Sequence, residues 1–106
     1  MMTDNREDPS PAGRVAGEGP LDQLIGREVV ADTAGSVVYI GTLRWAGPEG
    51  LLLENADIHD CKDGHATKEQ YVVESRLHGI RVNRRRILVM RAAVISVSAL
   101  DDVAID

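Results

Sequence analysis

Val37-Val38-Tyr39-Ile40-Gly41-Thr42-Leu43-Arg44-Trp45 is the stretch on which the fold turns. β-Branched and aromatic residues fill it, as they fill strands, and Gly41 interrupts it, where a residue with no side chain marks a bend in a sheet that curls on itself. On its N-terminal side Ala34-Gly35-Ser36 supplies a turn and Glu28-Val29-Val30-Ala31-Asp32-Thr33 a first strand, so the two read as a hairpin. On its C-terminal side Ala46-Gly47-Pro48-Glu49-Gly50 has turn chemistry, and the apolar run Leu51-Leu52-Leu53-Glu54-Asn55-Ala56 follows as a third strand. Arg86-Ile87-Leu88-Val89-Met90-Arg91 and Val94-Ile95-Ser96-Val97-Ser98, separated by Ala92-Ala93, are two more. A mainly β fold is predicted, a small, strongly bent, five-stranded antiparallel barrel.

Outward from the strands, Pro20-Leu21-Asp22-Gln23-Leu24-Ile25-Gly26 predicts one short helix, with Pro at its start and Gly at its end. Residues 57–67 are polar and read as a loop. Thr67 and Gln70 then have capping-box spacing, and Gly79 is placed to end a helix over 68–78, although Tyr71-Val72-Val73 also suits a strand. Residues 1–20 hold three of the four prolines and no Leu or Ile, a composition too poor in apolar side chains to offset chain entropy, and are read as a disordered tail. With 106 residues the chain has room for one domain, here 21–106, in which 57–85 form an inserted loop and helix.

The charge balance bounds the partners. A net charge of −5 opposes phosphate binding if spread evenly, but it is not: residues 75–100 contain no acid and six arginines, Arg76, Arg81, Arg84, Arg85, Arg86 and Arg91. No secretory h-region opens the chain and no apolar run reaches membrane-spanning length, so no membrane partner is expected. The lone Cys61 makes no internal disulfide and agrees with a reducing compartment. The expected location is cytoplasmic.

These residues resemble the Sm and Sm-like family, whose members carry a short N-terminal helix and a bent five-stranded barrel. The likeness spans most of residues 21–103. Its first motif, hydrophobic-x-Gly-x-Leu followed by a hydrophobic run, is met by Tyr39-Ile40-Gly41-Thr42-Leu43 and Leu51-Leu52-Leu53-Glu54-Asn55-Ala56. Its second, a hydrophobic residue with Arg-Gly and a closing strand, is approximated from Val89-Met90-Arg91 to Ser98, with Ala92 in place of the glycine. The resemblance implies a ring of copies in which the fourth strand of one pairs with the fifth of the next. It implies uridine reading less: Gly50 stands where RNA-binding members have the base-contacting Asn, and Arg91 alone remains of that pocket.

The candidate nucleic-acid site is Arg81, Asn83, Arg84, Arg85 and Arg91, guanidinium forks suited to phosphates with one polar amide among them, plus Trp45 as a stacking surface. The blander alternative is a solvated strand entrance whose arginines meet the acids of its own chain or of a neighbour. Asp57-Ile58-His59-Asp60-Cys61-Lys62-Asp63-Gly64-His65 is rich in metal-ligating types, with His59, His65 and one of Asp57, Asp60 or Cys61 as the set to consider, but matches no ligand spacing, so no metal or other cofactor is expected. Cys61, His78 and Asp63 are residue types for nucleophilic chemistry without a pattern, and no enzyme is expected. The sequence therefore points to a homo-oligomer that contacts RNA or, alternatively, a structural module that meets only protein.

Overall fold

Five antiparallel strands form one sheet in the computed structural model, which describes residues 19–105. They are β1 (Glu28–Asp32), β2 (Val37–Gly47), β3 (Gly50–Asp60), β4 (Arg84–Met90) and β5 (Ser96–Ala99), with one helix, α1 (Lys68–His78), between β3 and β4. The mainly β expectation and the five strands stand. The tail expected over 1–20 lies, up to residue 18, outside the described residues.

Sheet order is β4-β3-β2-β1-β5. Its bend sits at Gly41: the β2–β3 register slips between Ile40 and Thr42 and again between Leu43 and Trp45, and such bulges bend and twist a strand. A Cβ placed on Gly41 would lie 2.9 Å from the Cβ of Ala56 and 3.2 Å from the carbonyl oxygen of Glu54, so only glycine allows β3 this close. Asn55, facing this break, takes φ 49°, a left-handed conformation that Asn tolerates better than most residues. The last connection also requires curvature. A flat sheet would set its two outermost strands about 19 Å apart. Residues 91–95, partly wound in a 3-10 turn (Arg91–Ala93), bridge only about 16 Å between β4 and β5.

The curl encloses one core and leaves another outside. Inside lie Val29, Ala31, Leu43, Leu51, Leu53, Ala56 and Val89. On the opposite face Val30, Val38 and Ile40 pack under Tyr71 and Val72 of α1 and against Leu100. β1 is thus buried on both faces, and α1 roofs β1 and β2 rather than either end of the sheet.

Four expectations are corrected. The strands do not close into a barrel within one chain: β4 and β5 occupy opposite ends of the sheet and do not pair with each other. Residues 57–60 are not loop but the end of β3, because their backbone bonds to β2 from Ile40↔Asp57 to Val37↔Asp60 and the polar side chains find partners. The helix expected over 20–26 shrinks to a 3-10 turn, Asp22–Leu24; Ile25 is extended, and the Gly26 N–H donates to the Leu43 carbonyl at 2.7 Å instead of continuing a helix. β4 starts earlier, at Arg84, and β5 later, at Ser96, because the chain first winds into the 3-10 turn Arg91–Ala93, closed by the Val94 N–H on the Arg91 carbonyl at 3.1 Å. The helix over 68–78 forms as expected, with both arms of the Thr67/Gln70 capping box and Gly79 at φ 96° after its last residue.

Candidate nucleic-acid interface

Strand alternation sorts the arginines of β4. Ile87 and Val89 turn into the inner core opposite Leu53 and Leu51, so Arg85 shares their side while Arg84, Arg86, Leu88 and Met90 share the other. Arg86 and Arg44 both approach the carboxylate of Glu54, at 3.5 and 3.4 Å. Arg84 donates to the carbonyl of Asn83 at 2.9 Å. Arg81, Arg84, Arg85 and Arg91 are exposed, and none forms an ion pair with another described residue.

The candidates do not form one face. Arg81, Arg84 and Arg85 gather at the entrance to β4, whereas Arg91 stands at its far end, about 20 Å along a strand of this length. There Arg91 lines a cleft of about 410 Å³ with Leu21, Asp22, Pro48, Leu51 and Val94, and its N–H is fixed by the Glu49 carbonyl at 2.9 Å. Gly50 also lines that cleft. A Cβ on it would stand 2.1 Å from the Val89 carbonyl oxygen, so the position has no room for a base-reading amide. Trp45 pairs with Leu52, which pairs with Leu88, in an outward-facing row; its ring lies across Gly47 and is 42% exposed.

Asn83 has an architectural role. Its Oδ1 accepts from the Ile58 N–H at 3.1 Å, and its Nδ2 donates to the Ile58 carbonyl at 3.1 Å and to Asp57 Oδ1 at 2.9 Å. Asp57 is 1% exposed and also accepts from the Tyr71 hydroxyl. Burial, and then this bond to Asp57, hold the Tyr71 phenol above its ordinary pKa. The trio ties β3, α1 and the entrance to β4 together. Sequence reading missed it because its members are 14 and 26 positions apart; the available signal was a tyrosine on the apolar side of a helix, whose hydroxyl needs a partner.

The metal-ligating types are dispersed. His59 stacks face to face on Tyr71 at 3.6 Å between ring centroids. Asp60 accepts from Ser36 Oγ at 2.6 Å and from the Lys62 N–H at 3.0 Å, which with the Ser36 bond foremost hold its carboxyl below the ordinary range. Burial pushes the Cys61 thiol up, and His65 is exposed in the turn before α1. Among the described residues no three His, Cys, Asp or Glu side chains are grouped to hold a metal ion. His78 faces Glu74 at 3.4 Å, away from any set with Cys61 and Asp63. No helix of the described residues is long and apolar enough to cross a membrane. No protein-family model and no curated protein matches this chain.

Proposed function

We propose that the chain is a non-catalytic Sm-like module of the cytoplasm that assembles with copies of itself and binds RNA through phosphates with weak sequence preference. The observation that carries the reading is a sheet with two open edges, β4 and β5, together with exposed Arg81, Arg84, Arg85 and Arg91 that have no acidic partner among the described residues. Leu88, Met90 and Ile95 lie exposed on or beside those edges, and unprotected edges of this kind are covered by another strand or aggregate. In this reading the barrel is completed between subunits. Weak sequence preference follows from the groups that touch no base: Asn83 is occupied by Ile58 and Asp57, and Gly50 has no side chain.

Fluorescence anisotropy with labelled single-stranded RNA at rising salt tests it. Binding at low salt is expected, with a log-log salt slope that falls by about one for each phosphate-contacting arginine removed, Arg81→Ala and Arg91→Ala first. Absence of binding at low salt, or a slope that neither substitution changes, overturns the RNA part. A second reading, a structural module whose arginines meet only the acids of a neighbour, is favoured by the exposed Asp101 and Asp102 just after β5. It predicts that removing arginines changes the assembled mass seen by light scattering while RNA has no effect.

A further inference from the structure

We infer that the outer face of β2, β3 and β4 docks a partner protein through a segment that carries apolar side chains beside carboxylates. The inference goes beyond the RNA and self-association readings and depends on neither.

Strand pairing lays that face out in rows. Val38, Ile40 and Asp57 belong to the part under α1, where Tyr71 and Val72 pack on the first two and the Tyr71 hydroxyl meets the third. Past the bulge at Gly41, Thr42, Glu54 and Arg86 pair across the three strands as a polar row. About 7 Å further along β3 and β4, Trp45, Leu52 and Leu88 pair as an apolar row, with Met90 beyond it on the same side of β4. No roof like α1 covers this row: Trp45 and Leu88 are each 42% exposed. Single exposed apolar residues are ordinary on a protein surface, but a contiguous set rimmed by charge marks an interaction site. The indole is also held in place. It lies across Gly47, where a Cβ would overlap the ring, so glycine at that position lets it lie flat on the strand. A rigid aromatic loses little freedom on binding, and Trp and Arg are the residues most often central to protein interfaces.

Charge selects the occupant. Arg44 and Arg86 share the one carboxylate of Glu54, at 3.4 and 3.5 Å, and Arg84, on the same side of β4, donates to the Asn83 carbonyl. Three guanidiniums thus stand beside one acid, and the surplus is complementary to carboxylates on whatever covers the neighbouring apolar row. RNA fits this face less well. The apolar row offers one π surface and two aliphatic side chains, which stack no base, and Glu54 lies among the cations, where it would repel a phosphate. A second copy fits less well too, because its own version of this face brings the same surplus of arginine. A segment with apolar side chains on one flank and Asp or Glu on the other matches both rows. Exposed ion pairs add little affinity by themselves, so the covered indole and leucines supply most of it and the charges set orientation and partner choice.

Peptide selection on the full chain tests the inference. A phage library of random dodecapeptides is depleted on the Trp45→Ala chain and then selected on the wild-type chain. Both variants used, Trp45→Ala and Arg86→Glu, are checked for native circular dichroism; Arg86→Glu, a change at an exposed side chain, takes over the depletion if Trp45→Ala unfolds. Enriched peptides are expected to carry Asp or Glu next to Leu, Phe or Trp. In fluorescence anisotropy a labelled synthetic copy of the best one is expected to bind about tenfold more weakly to each variant. No enrichment, enriched peptides without acids, or a copy that binds Arg86→Glu as tightly as the wild-type chain overturns the inference. Two further results overturn it by giving the face to another occupant. Labelled single-stranded RNA whose binding falls with Trp45→Ala while no peptide is enriched assigns it to nucleic acid, and a changed assembled mass of Trp45→Ala in light scattering assigns it to a second copy. Neither of the earlier readings stands or falls with the peptide result.

Discussion

At Gly41 an added methyl group meets Ala56 and the carbonyl of Glu54 before it meets solvent. Gly41→Ala is expected to cost about 1–3 kcal/mol, the range for overpacking a filled site, read as a lower urea midpoint with an unchanged slope. Tyr71→Phe is expected to cost about 1–3 kcal/mol for a different reason: it removes a donor from the buried carboxylate of Asp57. The two residues differ in how readable they are. Gly41 announces itself, since glycine inside a β-branched run has few explanations. Asp57 does not, because the meaning of a buried carboxylate lies in its donors, Tyr71 and Asn83, and these reach it only through the fold. Asn83 shows the reverse error: among arginines it reads as a ligand contact, yet its amide is taken up by the backbone of Ile58 and by Asp57.

α1 was legible because its ends carry their own chemistry: Thr67 and Gln70 form both halves of the cap, and Gly79 takes the positive φ that stops the helix. Thr67→Ala is therefore expected to lower stability by about 1 kcal/mol, measured by thermal or chemical denaturation. The docking of α1 was not legible. Lys68 donates to Asp32 at 2.6 Å and to the carbonyls of Thr33 and Gly35, a clip from the helix to the β1–β2 turn that no local pattern encodes. β3 was read four residues short because Asp57-Ile58-His59-Asp60 is polar, and pairing with β2 outweighs that polarity. At its end Asp60, held by Ser36, has a carboxyl pKa below the ordinary 3.8. That bond stabilises the fold fully above the ordinary value and loses its contribution as pH falls from there through the depressed one. Asp60→Asn should lower stability at neutral pH and flatten the acid limb of a stability-against-pH curve, the two proteins converging below the depressed value.

Across the whole molecule, strand number and the bend could be read from local residue choice, whereas the open sheet could not, since nothing in β4 or β5 alone says whether the two pair with each other. If both edges are interfaces, then Met90→Lys and Ile95→Lys should each reduce the assembled mass in light scattering and leave the melting temperature of the dilute monomer nearly unchanged. Both side chains are more than half exposed, at 56% and 64%, so little monomer packing is lost. Substitution of Val89, 2% exposed in the inner core, should unfold the chain and abolish assembly together.

The place of β1 also bears on how the protein is made. One side of β1 is bonded by β2, which follows at once, but the other waits for β5, so Val29 finds Ala99 only when nearly all of the chain has been translated. Until then each nascent chain carries this unsatisfied backbone edge beside the identical chains of the same polysome. A stop codon just after Met90 should therefore give an insoluble product that engages chaperones, whereas the full chain should not.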